Sequence, residues 1–117
     1  MDFYIQKQEI TKALTLTLGV VEKRQTLPIL SNVLMEVSED ALQLTATDLE
    51  SQISTSSATS NFISGGKTTT SAKKLSELCR LLPDNSDIHI FLDGDKLVVE
   101  SGSGKYNLKT LPSDGFP

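Results

Sequence analysis

Two carboxylates close together in the sequence are the residues best placed for general acid and base chemistry. Asp48 and Glu50 are separated by one residue in TATDLES (45–51), and paired carboxylates in different environments can divide proton donation and acceptance between them. The same segment lies at a predicted strand junction, where an aspartate commonly accepts hydrogen bonds from the backbone of a turn. We therefore favour a structural role and keep a small hydrolase or transferase using Asp48 and Glu50 as an alternative.

Two short motifs are similar to phosphate-binding and calcium-binding loops but fail at defined positions. GGKTTTS (65–71) has the end of a phosphate-binding loop, yet that pattern needs a glycine where Asn61 stands. Asp93, Gly94 and Asp95 could begin a calcium loop, but apolar residues 97–99 follow where oxygen ligands are required. We predict a hairpin turn at 93–95 and no binding site at either motif.

The single cysteine and the single histidine give no sign of a metal site or a nucleophile. Cys79 lies on the apolar stripe of a predicted helix, where a thiol usually packs as a small hydrophobic side chain. His89 stands between Ile88 and Ile90 in a predicted strand with no evident partner, so we expect it on a solvent face or at an edge. No catalytic residue, metal or cofactor is therefore expected, and the lone cysteine fits a reducing cytoplasm.

Charge is distributed unevenly along the chain. The net charge of −4 over 117 residues argues at first against phosphate binding. Segments 7–24 and 71–82, however, hold seven basic and three acidic residues, whereas the other 87 residues hold four basic and twelve acidic ones. The basic residues of the two segments are Lys7, Lys12, Lys23, Arg24, Lys73, Lys74 and Arg80. A merely solvated helix surface also accounts for such lysines.

Two amphipathic helices are predicted within these basic segments. Apolar residues recur at helical spacing over 7–19 and again over 72–82, where Ser71 is suited to cap the helix start. The side opposite each apolar stripe carries Lys12 on the first helix, and Lys73, Glu77 and Arg80 on the second. No apolar run approaches the length of a spanning helix, so we expect no membrane partner.

Short β-rich runs surround both helices and repeat in the same order. They cover residues 3–5, 29–37, 41–47, 50–58, 67–71, 87–92, 96–101 and 105–110. The order of strand, helix and three strands thus occurs twice, with a period of about 65 residues. We predict an α+β fold of two βαβββ-like halves, with both helices on one face of an antiparallel sheet. Their outer sides would form one basic surface on an acidic body.

Four blocks of the sequence closely resemble the bacterial DNA polymerase III β subunit family, the sliding clamps. They are RQTLPILSNVLMEV (24–37), LTATDLES (44–51), AKKLSELCRLLP (72–83) and TLPSDGFP (110–117), in matching order across essentially the whole chain. The family forms a ring of two chains with three similar domains each. The resemblance implies that residues 1–117 are a single amino-terminal clamp domain, and that the parent chain continues into two further domains.

The resemblance also implies a replication processivity factor with no chemistry of its own. Such a ring encircles double-stranded DNA without sequence preference and tethers the replicative polymerase. The family is associated with DNA-directed DNA polymerase activity, which is a nucleotidyltransferase activity, only because the ring is an accessory subunit of the polymerase III holoenzyme. The implied partners are duplex DNA, a second copy of the parent chain, the polymerase III core and the clamp loader.

Site residues follow from the resemblance and from the charge pattern. Arg24 matches a family arginine in a DNA-contacting loop, and Lys73 matches a basic DNA-contacting position of the second helix. Charge and periodicity add four further DNA-binding candidates, which are Lys7, Lys12, Lys23 and Arg80. Family helices face the central hole, in agreement with the predicted basic surface.

The segment SGSGKYNL (101–108) resembles the edge strand of the family's subunit interface. Lys105 and Tyr106 match a basic and an aromatic position there, and Lys74 lies at the corresponding helix end. Ser103 stands where the family often has an arginine, so we expect this interface to depend more on backbone pairing and on burial of Tyr106. A purely protein-binding β module remains a further alternative, although it leaves the basic helices without a role.

Overall fold

The element order repeats as the sequence predicts. The computed structural model describes residues 1–21, 27–102 and 104–117, which form nine strands and two α-helices. The first half contains β1 (Asp2–Gln6), α1 (Lys7–Leu18), β2 (Asn32–Val37), β3 (Ala41–Thr47) and β4 (Gln52–Ala58). A short strand, β5 (Asn61–Ser64), follows. The second half contains β6 (Gly66–Ser71), α2 (Ala72–Leu81), β7 (Asp87–Asp93), β8 (Lys96–Ser101) and β9 (Gly104–Leu111).

All described strands join one antiparallel sheet in which the two halves exchange their first strands. The order across the sheet is β4-β3-β2-β6-β9-β8-β7-β1-β5. Strand β1 pairs with β7 of the second half, and β6 pairs with β2 of the first half. Each half therefore completes its sheet with a strand from the other.

Strand β9 joins the two parts of the sheet through a short contact. It pairs with β8 from Gly104 to Lys109, but with β6 only at Thr110 and Leu111. The Thr70 hydroxyl donates a hydrogen bond to the carbonyl of Lys109 (2.8 Å), where β9 leaves β6. The rest of β9 thus has a strand on one side only.

Both helices cover one face of the sheet, and the core lies between these layers. Inward-facing strand residues such as Ile5, Met35 and Ile90 are fully buried and pack with Leu14 of α1 and Leu75 of α2. The alternation of buried and exposed residues along β1 and β7 follows from the two-residue period of a strand. This arrangement confirms the predicted fold class.

Helix α2 has the start that the sequence predicts. The Ser71 side chain accepts a hydrogen bond from the backbone N–H of Lys74 at 3.2 Å, which satisfies one of the free donors of the first turn. The helix ends at Leu81, two residues before Pro83, whose ring cannot continue it.

Two local predictions were wrong. Residues Pro28–Ser31 form a single 3₁₀ turn rather than the beginning of a strand, because proline fixes φ and lacks an N–H for a ladder. Strand β5 was not expected, because four residues with one large apolar side chain facing the core give little periodic signal. Strand β5 lies on the side of β1 away from β7, just as β9 lies on the side of β6 away from β2.

Neither α1 nor α2 has the length and apolar character needed to cross a membrane, and no other helix in the described ranges does.

Candidate nucleic-acid interface

The two helices contact each other and turn their buried sides toward the sheet. Lys12, Lys73 and Arg80 are all exposed on the side away from the sheet. Within the described ranges, none of these three has an acidic partner within the 4.0 Å of an ion pair. Their charges are therefore available to a polyanion. We define these three residues as the basic helix face.

The remaining predicted DNA-binding residues lie elsewhere. Lys23 and Arg24 fall outside the described residues. Lys7 is the first residue of α1, and its ammonium donates hydrogen bonds to the carbonyls of Leu82 (2.6 Å) and Arg80 (3.2 Å) and to Asp84 Oδ1 (3.2 Å). Only 14% of its side chain is exposed. The structure thus does not place Lys7 on the basic helix face.

The lower part of β9 is an open sheet edge. From Gly104 to Leu108 its outer side has no strand partner among the described residues. A groove beside this edge is lined by Ser71 and Lys74 on one side and by Asn107 and Leu108 on the other. Unpaired backbone donors and acceptors at such an edge can accept an additional strand.

The predicted interface residues gather around this open edge. Lys74 and Lys105 are exposed, and Tyr106 lies on the helix side of the sheet, opposite Val99, with 40% of its surface accessible. The Tyr106 ring lies back over Gly104, where an added Cβ would be 3.1 Å from Cε2 and 3.2 Å from Oη. Ser103 falls outside the described residues.

In the structure, Asp48 of the carboxylate pair closes a turn. Asp48 Oδ1 accepts hydrogen bonds from the backbone N–H groups of Ser51 (2.6 Å) and Glu50 (2.9 Å), closing the turn between β3 and β4. These bonds from Ser51 and Glu50 lower the pKa of Asp48, because they favour its charged form. A perturbed pKa that a turn fully explains gives no support to an enzyme at this position.

The predicted burial of Cys79 is confirmed. Its side chain is fully buried in the core, and burial raises the pKa of the thiol to about 12, with a smaller opposing effect of the Lys7 ammonium. The described ranges contain no group of three or more His, Cys, Asp or Glu side chains arranged to hold a metal ion.

Of the two positions expected for His89, the structure has the solvent face and not the edge. His89 lies on β7, inside the sheet, and its partly exposed side chain points away from the buried Ile88 and Ile90. Its Nε2 is 2.7 Å from Asp2 Oδ1, its Nδ1 is 3.4 Å from Glu100 Oε1, and its ring stacks on Tyr4 with centroids 4.3 Å apart. These partners come from strands distant in the sequence, so no local pattern could have identified them.

A family model described as "DNA polymerase III beta subunit, N-terminal domain" matches residues 1–117. Curated relatives named beta sliding clamp include proteins from Pseudomonas putida, with 43% identity over 117 residues, and from Escherichia coli K12, with 37%. Each alignment covers 100% of this chain and 32% of the relative. The chain thus spans about a third of the length of these relatives.

Solved structures give the same result. The DnaN sliding clamp of Pseudomonas aeruginosa, bound to griselimycin, superposes with a TM-score of 0.96 at 42% identity, over 100% of this chain and 32% of that one. The DNA polymerase sliding clamp of Caulobacter crescentus superposes with the same TM-score at 37% identity and the same coverage.

Proposed function

Because the chain belongs to the family of the DNA polymerase III beta subunit, N-terminal domain, we propose that it forms one sector of a ring around duplex DNA. The observation that carries this proposal is the basic helix face, on which Lys12, Lys73 and Arg80 are exposed and free of acidic partners within the described ranges. The rest of the chain is acidic, so this face is the side that a phosphate backbone approaches.

A sparse basic face suits a sliding contact. Attraction between lysine or arginine and phosphate depends on charge and distance, and it carries no sequence information. The three side chains project from helices and reach the backbone without entering a groove. Such a sector holds DNA loosely and adds processivity without chemistry of its own. We include Arg24 and Lys23 in the DNA-binding set on the resemblance and the charge pattern.

We propose the open edge of β9 as the joint to the next sector of the ring. An incoming antiparallel strand satisfies the backbone groups from Gly104 to Leu108 and covers Tyr106. Lys74 and Lys105 stand exposed on either side of this edge, so a strand with carboxylates at matching positions suits it best.

The wider partners follow from membership of the family. We propose that residues 1–117 are a single amino-terminal domain and that the ring is a dimer of longer parent chains. It tethers the polymerase III core, is placed on DNA by the clamp loader, and acts in the cytoplasm. Any polymerase activity belongs to that assembly.

Salt titration of duplex binding tests the DNA proposal. Fluorescence anisotropy of a labelled duplex is measured over a series of salt concentrations for the unsubstituted chain and for the variants Lys12→Ala, Lys73→Ala and Arg80→Ala. Each replacement should reduce the slope of log K against log salt by about 0.9, the value for one lost phosphate contact. Arg24→Ala should do the same.

A matched control is available on the opposite face. Lys67 is exposed on β6 and lies opposite Glu36 of the neighbouring strand β2. Its neighbour Thr68 is buried and lies opposite Met35 of the core, so Lys67 is on the outer face of the sheet. Lys67→Ala removes the same charge from the outer sheet face and should leave the slope unchanged. Equal effects of Lys67→Ala and Lys73→Ala, or a sequence-specific complex that is insensitive to salt, would show that the helices are not the DNA-facing surface.

A further inference from the structure

Lys7 has no free donor for a phosphate. An ammonium group has three N–H bonds, and Lys7 directs them at three acceptors, the carbonyls of Leu82 and Arg80 and the Asp84 carboxylate, at 2.6 to 3.2 Å. The side chain is also mostly buried. A phosphate could reach it only after one of these hydrogen bonds had broken.

Two of the three acceptors of Lys7 are carbonyls at the end of α2. The last carbonyls of a helix lack intrahelical partners, and a cation there is favoured by the helix dipole. The backbone N–H of Lys7 also donates to the carbonyl of Ser86 at 2.9 Å. The start of α1 is thus fixed to both ends of the short connection from α2 to β7.

This contact reaches the basic helix face through Arg80. The carbonyl that Lys7 holds belongs to Arg80 itself, the basic residue in the last turn of α2. Helix ends fray easily, and a frayed last turn leaves its side chain free to adopt many positions. At the corresponding start of α2 stands Ala72, which has no ammonium group.

We propose that Lys7 is a positioning residue for DNA binding, which holds the last turn of α2 in place so that Arg80 projects from a fixed backbone. This inference rests on the proposed function. It assigns Lys7 a role without a phosphate contact, in contrast to its initial inclusion among the DNA-binding residues. Loss of Lys7 then adds an ordering cost to binding while the number of phosphate contacts stays the same.

The test combines the salt slope with a double-mutant cycle. Lys7→Met removes the ammonium and keeps the apolar stem, and Lys7→Arg restores a cation. In the salt titration, Lys7→Met should weaken duplex binding about two- to tenfold, the cost of ordering one or two side chains, with an unchanged slope. Lys7→Arg should recover most of the lost affinity. Lys12→Met, the same change at an exposed position of α1, should instead reduce the slope.

The cycle identifies Arg80 as the residue through which Lys7 acts. Once Arg80→Ala has removed the guanidinium, adding Lys7→Met should have almost no further effect on duplex affinity, because coupled residues are not additive. If Lys7→Met reduces the slope as Lys12→Met does, or if its effect is undiminished in the Arg80→Ala background, Lys7 is not a positioning residue. Should Lys7→Met fail to fold, Lys7→Gln, which keeps an N–H donor, takes its place in both measurements.

Failure of this inference differs from failure of the proposed function. If the unsubstituted chain shows no salt-dependent duplex binding, both proposals are overturned. If it binds with the expected slope but the effects of Lys7→Met and Arg80→Ala are additive, only the role of Lys7 is overturned.

Discussion

At the residue scale, the ionisation of Asp48 is tied to the backbone of the turn between β3 and β4. Its carboxylate accepts backbone hydrogen bonds from Ser51 and Glu50, which lower its pKa from the ordinary value of an aspartate. A lowered folded pKa contributes stability that is present above the unfolded pKa and is lost as pH falls through the folded pKa. The role of Asp48 in the turn is therefore visible as a pH dependence of unfolding.

We expect Asp48→Asn to reduce the acid sensitivity of the fold. As pH falls through the lowered folded pKa, the unsubstituted chain loses the contribution of the ionised carboxylate, whereas asparagine has no proton to gain. The difference should be small, because solvent screens an exposed group. Urea unfolding at a series of pH values measures it, and parallel pH curves for both proteins would contradict this account of the turn.

Cys79 should be unreactive in the folded chain. Burial raises the pKa of its thiol to about 12. Alkylating reagents react with the thiolate, which is the nucleophilic form of cysteine. Iodoacetamide at neutral to mildly alkaline pH should therefore modify Cys79 only as fast as the chain opens. Because the folded pKa is raised, stability from the protonated thiol is present below the unfolded pKa and is lost as pH rises toward the folded value.

Mass spectrometry of alkylation in buffer and in urea measures this protection. A native chain modified at the rate of the unfolded one would place Cys79 at the surface, contrary to its position in the core. Because of the same protection, Cys79 should not react when a new cysteine is introduced at an exposed position for labelling.

The residue-level predictions succeeded where only local spacing mattered. Helical periodicity was sufficient to bury Cys79 and to expose Lys12, because both depend on the turn of a single helix. It did not foresee the partners of His89 or Lys7, since these come from strand register and from the end of another helix. Contacts between distant segments need the tertiary arrangement, which one sequence does not contain.

At the scale of elements, helix α2 depends on its cap. Ser71→Ala removes the acceptor for the Lys74 N–H and should lower the free energy of unfolding by about 1 kcal/mol, the usual cost of losing such a cap. Ser71→Thr keeps a hydroxyl oxygen and should retain most of the stability. Urea denaturation of the three proteins gives the comparison, and equal losses in both variants would indicate that packing of Ser71, rather than capping, is responsible.

Element boundaries were predictable where apolar alternation was strong. The runs 41–47 and 96–101 coincide with β3 and β8, and the first helix ends one residue earlier than predicted. Strand β5 was not predicted, because it has only four residues and follows a run of mostly polar residues. Its existence depends on the free edge of β1, which is a property of the assembled sheet.

At the scale of the whole molecule, the open β9 edge is the proposed joint between sectors of the ring. In the proposed ring of longer parent chains, replacing Tyr106 with alanine should weaken the dimer by about 2 to 4 kcal/mol, as for a buried interfacial anchor. The isolated chain of 117 residues should keep its stability, because Tyr106 is 40% exposed there. Sedimentation of the parent and thermal unfolding of the isolated chain separate the two effects.

Two results would speak against this assignment of the edge. An unchanged dimer constant for the parent variant would remove β9 as the joint. A large loss of stability in the isolated chain would make Tyr106 part of its own core. Lys67→Ala, on the outer sheet face, should change neither quantity.

The exchange of first strands between the two halves has a consequence for synthesis on the ribosome. Strand β1 is translated before both strands that it pairs with, and the longer of these pairings is with β7, which begins at Asp87. Neither half can close its sheet alone, so β1 remains unpaired along one edge until β7 has been translated. Pairing over such a sequence separation is slow, and an uncovered strand invites aggregation. We expect nascent chains arrested before β7 to be sensitive to protease and to recruit chaperones, and chains arrested after β9 has emerged to be resistant.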